Sequence, residues 1–334
     1  MADRPTVAVL GASGYAGALA ARLLHRHPSF ELVALTARGD VGRRLDQLYP
    51  HHRVPLVLEE LDLERHARVD AAIVAYPHGA AAPVVAALRR RGVRVVDLSA
   101  DFRLRSRATY EEWYAPHPAP ELLEEAVYGL PELYRQRLRT ADLVANPGCY
   151  PTAAVLALAP LARAGLIADV VIDAKSGVSG AGRAPTERTH FVTVDENVSP
   201  YGVPRHRHTP EIEQELAALG ARVRITFTPH LLPLDQGELV SCYVTPPPGG
   251  ERADLRELFE EAYAREPFVE LAERPPGVRD VRETNICRIS LHRDARTGRA
   301  LVFAAIDNLW KGTASQAVQN LNLMFGLPEG EGIS

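Results

Sequence analysis

The chain has 334 residues, of which 46% are hydrophobic and 24% are charged, a composition typical of a globular protein with room for two domains. Acidic residues outnumber basic ones by 42 to 38 and the formal net charge is -4, so we expect neither nucleic acid nor an anionic membrane as a partner. No apolar run approaches the roughly 20 residues that span a bilayer, and no export signal precedes the first strand-like run, which favours a cytoplasmic protein.

The three cysteines, Cys149, Cys242 and Cys287, form no CxxC pair, and the 12 histidines form no HExxH motif. A disulfide framework or a zinc site is therefore not expected. Free thiols also suit a reducing compartment.

Strand and helix signals alternate along the first half of the chain. The predicted elements there are the strand Thr6–Leu10, the helix Tyr15–His27, the strands Phe30–Thr36 and Asp70–Tyr76, the helix Gly79–Arg91, and the strands Val93–Ser99 and Asp142–Asn146. Near-continuous apolar strands alternating with helices predict an α/β domain whose parallel sheet is covered on both faces.

Beyond a helical stretch from Thr152 to about Ala164, strand signals dominate. They fall at Val170–Ser176, Arg222–Leu232, Glu238–Val244, Ile286–Leu291 and Leu301–Ile306, with helices at Pro210–Leu219, Arg252–Ala264 and Gly312–Phe325. We predict an α+β domain on a mixed or antiparallel sheet over residues 149–308. The amphipathic last helix is predicted to return to the first domain, which would comprise residues 1–148 and 309–334.

A glycine-rich turn joins the first strand to the first helix. Gly11, Gly14 and Gly17 have GxxGxxG spacing, one residue longer than the standard dinucleotide fingerprint. Such a turn lets backbone N–H groups and a helix N-terminus approach a pyrophosphate. Ser13 and Tyr15, in the same loop, are candidate cofactor contacts as well.

The end of the second strand distinguishes the two nicotinamide cofactors. An NAD site places an acidic residue there to bind the ribose hydroxyls, whereas this chain has Thr36 and Arg38. A hydroxyl and a guanidinium suit the 2′-phosphate of NADP. Asp40 lies nearby and an exposed surface arginine is the alternative, but we favour NADP(H).

Cys149 is the candidate nucleophile. It lies in the segment NPGCYPT, between a strand and a helix whose first turn suits Pro151. A thiol at a helix N-terminus faces the positive end of the helix dipole, which favours the thiolate, and N–H groups there suit an oxyanion. Cys242 and Cys287 lie inside apolar strands and fit the usual role of a free cysteine as a small buried side chain.

The chain resembles the N-acetyl-γ-glutamyl-phosphate reductases of arginine biosynthesis, a family related to aspartate-semialdehyde dehydrogenase. The matching segments run in order through nearly the whole chain: GASGYAG (11–17), PHG (77–79), DLSADFRL (97–104), NPGCYPT (146–152), SGVSGAGR (176–183), HRHTPEI (206–212) and DNLWKGTA (307–314). The resemblance implies a Rossmann domain, a substrate domain, a homo-oligomer (dimer or tetramer) and NADP-dependent reduction of an acyl phosphate.

A histidine is expected to move the proton in this chemistry. His206 and His208 flank Arg207 just before a predicted helix with Thr209 as N-cap and Pro210 at its first position. The two side chains fall on the same side of an extended segment. We favour His208 as the acid/base, with His206 as the close alternative.

Further polar residues are candidates for binding the anionic substrate and the cofactor. Substrate candidates are Arg103, Asn146 and, more weakly, Arg183, and for the two arginines an exposed surface residue is the alternative. The candidates for binding the cofactor in the second half of the chain are Ser179, Gly180, Asn308 and Lys311. The last two follow from the family resemblance, which puts DNLWKGTA beside the nucleotide, and Lys311 has an ordinary surface charge as its alternative.

These residues predict thioester chemistry. With the substrate that the family resemblance implies, the Cys149 thiolate would attack N-acetyl-γ-glutamyl phosphate, phosphate would leave, and hydride from NADPH would reduce the thioester to the semialdehyde. A lysine-pathway or aspartyl acyl-phosphate reductase is the nearest alternative. A redox-sensing NADPH-binding regulator without turnover is the alternative from another class.

Overall fold

The computed structural model describes residues 4–333, which divide into two compact units. One unit contains the chain up to Gly148 together with the segment from Thr313 onwards, and the other is Cys149–Gly312. Within the described residues, no helix is both long and apolar enough to cross a membrane.

Residues 4–333 contain fourteen strands and eleven α-helices. The strands are β1 (Thr6–Leu10), β2 (Glu31–Thr36), β3 (Leu58–Glu59), β4 (Ala71–Val74), β5 (Arg94–Asp97), β6 (Val127–Tyr128), β7 (Leu143–Ala145), β8 (Asp169–Gly177), β9 (Ser199–Pro200), β10 (Thr226–Leu232), β11 (Glu238–Thr245), β12 (Val269–Ala272), β13 (Cys287–Arg293) and β14 (Ala300–Ile306). The α-helices are α1 (Tyr15–His25), α2 (Leu45–Leu48), α3 (Leu63–His66), α4 (Ala82–Arg89), α5 (Arg107–Trp113), α6 (Pro131–Leu138), α7 (Cys149–Arg163), α8 (Phe191–Val194), α9 (Thr209–Ala218), α10 (Leu255–Tyr263) and α11 (Ser315–Met324).

Short helical turns of other kinds complete the list. Six 3-10 helices lie at Pro50–His52, Pro120–Leu122, Val178–Ala181, Glu187–Thr189, Gly250–Arg252 and Val278–Val281. A single π-helical segment, Trp310–Ala314, leads directly into α11.

The first unit contains a seven-stranded parallel sheet in the order β3-β2-β1-β4-β5-β7-β6. Alternate residues of its strands face opposite sides. Leu10 and Val74 pack with Val85 of α4 in one buried cluster, while α1 packs on β1, β2 and β4, and α11 packs on α1, α6 and β5. The predicted α/β class is therefore confirmed, as is the return of the last helix to the first domain.

The sheet order reverses at β1, because β2 and β3 lie on one side of it and β4 and β5 on the other. In open α/β sheets, ligands bind outside the carboxyl ends of the strands at such a switch point. The glycine turn begins directly after β1, so the topology puts it at the position where a nucleotide binds.

The second unit contains a mixed seven-stranded sheet in the order β12-β13-β14-β11-β8-β10-β9. The pairs β12–β13 and β8–β10 are parallel and the others are antiparallel. Helix α7 packs on β11 and β14, and α9 and α10 pack on α7. Buried residues recur every four positions in α10, at Leu255, Phe259 and Tyr263, so it presents one apolar stripe.

Several predicted boundaries differ from the structure. Helix α7 begins at Cys149 and not at Thr152, because Pro151 lies in the first turn, where its missing N–H costs no hydrogen bond. The predicted helix over 79–91 begins at Ala82, and the predicted strand over 222–232 begins at Thr226. The last predicted helix starts with the π-helical segment and becomes α-helical at Ser315.

Candidate active site

The glycine turn of the first unit is sterically constrained at two of its three glycines. Gly11 has φ +95, and a β-carbon there would lie 2.6 Å from the carbonyl oxygen of Ala75. A β-carbon at Gly17 would lie 2.3 Å from the carbonyl oxygen of Gly11. Both glycines therefore let the turn close on β4 and on itself.

Gly14 has a different role, because a β-carbon there would meet no atom closer than 3.8 Å. It is the N-cap of α1, has no side chain with which to cap the helix, and is followed by no acidic residue in the first turn. The first-turn N–H groups of a helix have no intrahelical acceptor. An open, uncapped helix N-terminus fits a dinucleotide pyrophosphate.

Contacts that the sequence did not predict hold this turn in place. The Tyr49 hydroxyl donates to the Ser13 carbonyl at 2.9 Å, and the Tyr15 ring lies edge-on to the Tyr49 ring. The Thr36 carbonyl accepts from the amides of Gly11 and Ala12 at 3.0 and 2.8 Å. Tyr49 lies well outside the glycine motif, and nothing in the sequence around it indicates this contact.

Thr36 and Arg38, the two residues predicted to select NADP, differ in exposure. The Thr36 side chain is fully buried and its hydroxyl lies 3.0 Å from the Tyr76 hydroxyl. The structure therefore revises its predicted role from phosphate ligand to support of the turn. Arg38 is exposed and its guanidinium lies over the Tyr76 ring, while Asp40 forms an ion pair with Arg43 at 2.9 Å.

Arg103 and Asn146, the two candidates for substrate binding in the first unit, are both buried. The Arg103 guanidinium donates to the carbonyls of Leu98 and Asn146, both at 2.8 Å. The Asn146 side chain donates to the Thr313 carbonyl at 3.1 Å and accepts from Asn320 at 3.0 Å. These bonds fix the backbone just before Pro147-Gly148-Cys149, so both residues position the chain that enters the nucleophile.

The rest of the DLSADFR segment is also a buried polar network. The Asp101 carboxylate accepts from the amides of Gly79 and Ala82 at 2.6 and 2.9 Å and from the Tyr110 hydroxyl at 2.8 Å. It thereby organises the start of α4. These internal hydrogen bonds account for much of the polar character of the segment.

In the second unit, Cys149 is the first residue of α7 and is partly exposed, while the helix behind it is buried from Tyr150 to Ala162. Its backbone lies against Gly312, where an added β-carbon would approach the Cys149 β-carbon to 2.8 Å. The helix N-terminus supplies N–H groups and the positive end of the dipole beside the sulfur. This is the arrangement predicted for a thiolate nucleophile.

Glu238, which the sequence analysis did not single out, lies beside Cys149. It is the first residue of β11 and is fully buried. Burial raises the pKa of its carboxyl to about 8, a hydrogen bond with the Cys149 thiol lowers it, and the charge of Asp307 raises it further. A strand-initial glutamate in ELVSCYV resembles any solvent-facing strand end, so only the fold reveals this contact.

His206 and His208 both lie near Tyr150, with ring centroids 5.8 Å from the Tyr150 ring in each case. His206 Nδ1 accepts from the His208 amide at 3.2 Å, and burial, with a smaller contribution from Arg207, lowers the His206 pKa to about 4. His206 is therefore neutral near pH 7, with its proton on Nε2.

The helix after these histidines begins one residue earlier than predicted. His208 is the N-cap of α9, and Thr209 is its first residue. The Thr209 hydroxyl is buried without a hydrogen-bond partner in the described part of the chain, so the predicted Thr209 cap is wrong. Because Pro210 follows within the first turn, the helix accommodates the shift without losing an N–H bond.

The structure brings together three of the cofactor candidates in the second unit. The Asn308 side chain donates to the Ser179 hydroxyl at 3.0 Å and accepts from the Gly237 amide at 2.7 Å. A β-carbon on Gly180 would lie 3.6 Å from the same Asn308 amide. Asn308 thus ties the loop after β8 to the turn just before Glu238.

The two remaining basic candidates differ in exposure. Lys311 is fully buried, and its ammonium lies 5.6 Å from the centre of the Phe268 ring, which excludes an ordinary surface charge. Arg183 is exposed on the segment after β8.

Comparisons with known proteins agree with this geometry. A family model described as the semialdehyde dehydrogenase NAD binding domain matches residues 6–141, and one described as its dimerisation domain matches 149–308. The N-acetyl-gamma-glutamyl-phosphate reductase of Desulforudis audaxviator is 51% identical, over 98% of this chain and 97% of the relative. That of Moorella thermoacetica is 51% identical, over 96% and 95%. The chain belongs to this reductase family.

Solved structures show the same fold at lower identity. Aspartate semialdehyde dehydrogenase II of Vibrio cholerae, complexed with ASA, has a TM-score of 0.74 at 19% identity, covering 97% of this chain and 99% of that one. The Candida albicans enzyme with NADP has a TM-score of 0.72 at 14% identity, with the same coverage. The predicted family and fold are confirmed, and this member of the reductase family is an oxidoreductase with an NAD(P)-binding domain.

Proposed function

We propose that the protein reduces N-acetyl-γ-glutamyl phosphate to N-acetylglutamate 5-semialdehyde, with release of phosphate, in arginine biosynthesis. The observation that carries this proposal is Cys149 at the N-terminus of α7, in a chain about half identical to curated reductases of that name. The dipole and N–H groups of the helix stabilise a thiolate and, later, an oxyanion.

The Cys149 thiolate attacks the acyl carbon, a carbon–sulfur bond forms, and the bond to phosphate breaks. When bound, NADPH supplies the hydride that reduces the resulting thioester. The first-turn amides of α7 hold the carbonyl oxygen while charge develops on it. The histidine protonates this oxygen and takes the proton back as the carbon–sulfur bond breaks, so the aldehyde leaves and the thiolate is restored.

For the proton carrier we favour His208 over His206. His206 Nδ1 already accepts a hydrogen bond, and its lowered pKa makes it a poor proton acceptor near pH 7. We expect His208→Gln to lower kcat by about 100- to 10,000-fold, the usual contribution of a general acid or base. His206→Gln, the matched variant, should cost much less, and the reverse order would transfer the role to His206.

The reaction is tested in the oxidative direction with N-acetylglutamate semialdehyde, inorganic phosphate and NADP⁺, by following cofactor reduction. Cys149→Ala should abolish turnover and keep nucleotide binding, while Cys242→Ala, in the core, should remain active. Turnover with aspartate semialdehyde instead would favour an aspartyl substrate. Nucleotide binding with no turnover on any semialdehyde would favour the regulator.

We propose NADP(H) as the cofactor, with Arg38 binding the 2′-phosphate. The support is that Arg38 is exposed after β2, while Asp40 pairs with Arg43. Arg38→Ala should weaken NADPH binding about 10-fold or more, as expected for a charge-assisted bond, and should leave NADH binding unchanged. Arg43→Ala is the control. Equal losses for both nucleotides would refute the assignment.

We also propose a homo-oligomer assembled through the second unit, which the family model describes as a dimerisation domain. Helix α7 packs on β11 and β14, and the fully buried Val240 and Val302 share one side of these strands. On the opposite side, Tyr243, Leu301 and Phe303 remain half-buried, and an apolar sheet face of this kind suits a second copy. We therefore propose that the first unit binds the nucleotide and that the second unit carries catalysis and assembly.

Light scattering tests the assembly. Tyr243→Asp should shift the protein towards the monomer, because a buried, unpaired carboxylate opposes association. Val57→Asp, an exposed position in the first unit, is the control. An unchanged oligomer in Tyr243→Asp would exclude this face.

A further inference from the structure

Glu238 is a buried acid with an unmet hydrogen-bonding capacity. It begins β11 directly after Gly237 and has no exposed surface. Within residues 4–333, neither carboxyl oxygen meets the distance and angle of a full hydrogen bond, so its contact with the Cys149 thiol is a loose one. A buried polar group without partners is costly unless it has a functional role.

The elements around Glu238 bring it to the nucleophile. Glu238 pairs with Ile306 across β11 and β14. A β-carbon on Gly312 would meet both the Cys149 β-carbon, at 2.8 Å, and Ile306 Cδ1, at 3.3 Å. The start of α7, the end of β14 and the π-helical segment therefore meet where β11 begins.

The titratable groups facing Glu238 come from several elements. Cys149 and Tyr150 lie on α7, Tyr201 follows β9, and Asp307 follows β14. Burial raises the pKa of the Glu238 carboxyl to about 8, and among these groups it is the Cys149 thiol that opposes this rise. Near pH 7 Glu238 therefore keeps its proton and has an O–H to donate.

We propose that Glu238 is a catalytic residue that acts as a neutral carboxylic acid, its O–H donating a hydrogen bond to the Cys149 thiolate. The catalytic part of this role rests on the proposed reductase function, whereas the hydrogen bond itself forms without substrate. A carboxylic acid kept neutral by an apolar site is a known way of placing a strong donor at a developing anion.

The donor acts at two points in the reaction. As the sulfur electron pair forms the bond to the acyl carbon, phosphate leaves with the electrons of the broken carbon–oxygen bond. As the thiohemiacetal collapses, its hydroxyl proton passes to the histidine, the carbon–sulfur electrons return to Cys149 and the hydrogen bond re-forms. The proton stays on Glu238 throughout, so no bare carboxylate is left beside an uncharged thioester.

The test is the rate of Cys149 alkylation by iodoacetamide from pH 6 to 10, in protein without substrate. Cys149→Ala gives the background from the other cysteines. In the native protein the alkylation rate should rise with pH in two phases. The Cys149 thiol and the Glu238 carboxyl ionise in separate steps, because the first negative charge opposes the formation of the second. In Glu238→Gln the rise should be a single phase, because an amide donates without titrating.

A second variant and a matched control sharpen the result. Glu238→Leu removes the donor and should slow alkylation at pH 7.5 by about 10- to 100-fold, as for a lost hydrogen bond to a charged group. Glu238→Gln should retain more semialdehyde oxidation than Glu238→Leu. Glu215→Gln, which alters another fully buried glutamate, should keep the two-phase profile.

A single-phase profile shared by the native protein and Glu238→Gln would overturn the proposal. Alkylation of a folded Glu238→Leu at the native rate would overturn it too. If Glu238→Leu does not fold, the comparison with Glu238→Gln decides alone. Because alkylation needs no substrate, this proposal and the proposed reaction fail independently of each other.

Discussion

Gly14 and Gly17 lie in the same glycine turn, but the structure predicts different consequences for replacing each with alanine. A β-carbon at Gly17 would lie 2.3 Å from the Gly11 carbonyl oxygen and 3.0 Å from the Ala12 α-carbon. Both are backbone atoms, which cannot move aside as a flexible side chain would. A β-carbon at Gly14 would have its nearest neighbour at 3.8 Å. Gly17→Ala should therefore destabilise the fold, and Gly14→Ala should chiefly obstruct the nucleotide.

The magnitudes follow from these distances. Overpacking costs about 1–3 kcal/mol, and the 2.3 Å contact puts Gly17→Ala near the upper end, offset by about 1 kcal/mol for the better helix propensity of alanine. A net loss of about 2 kcal/mol corresponds to a fall in Tm of roughly 4–8 °C for a unit of this size. Gly14→Ala should cost about 1 kcal/mol or less.

Urea denaturation and thermal melting measure the stability, and a fluorescence titration measures NADPH affinity. Gly277→Ala, where a β-carbon meets no atom within 4 Å, is the control for the substitution itself. We expect Gly14→Ala to weaken NADPH binding at least 10-fold with little change in Tm. A Gly17→Ala variant as stable as Gly277→Ala, or a Gly14→Ala variant that binds NADPH normally, would refute these predictions.

Three further predictions concern the second unit and the chain that enters it. Gly312→Ala should lower kcat by about 100-fold without affecting NADPH affinity, because its methyl group would displace the Cys149 β-carbon 2.8 Å away; unchanged kcat would contradict this. The His206 pKa is lowered to about 4 by burial, so the unfolded chain binds a proton that the folded chain excludes. The stability that the neutral His206 contributes is therefore fully present above pH 6.5 and is lost as the pH falls from 6.5 to about 4. His206→Gln should flatten this part of the urea-denaturation profile, and parallel profiles would refute it. Asn320→Leu should destabilise the protein by about 1–3 kcal/mol, because Asn146 and the Gly129 carbonyl lose a buried donor; a native midpoint would exclude this role.

The sequence by itself determined the main outline of this protein. Apolar runs alternating with helices required a parallel sheet, and the glycine spacing marked its nucleotide turn, because periodicity and steric demand are local properties of the chain. The predictions that Cys149 lies at a helix N-terminus and that Cys242 is buried needed only the neighbouring residues. The family followed from motifs spread along the whole chain.

What only the tertiary structure decided depends on contacts between residues far apart in sequence. Glu238 looks like an ordinary strand end until β11 and α7 meet, and only the fold shows that Arg103 donates to the backbone carbonyls of Leu98 and Asn146. Lys311 and Thr36 proved to be buried. A residue type reveals which bonds a side chain is able to make, but burial and partners, which set its pKa and its role, exist only once the chain has folded.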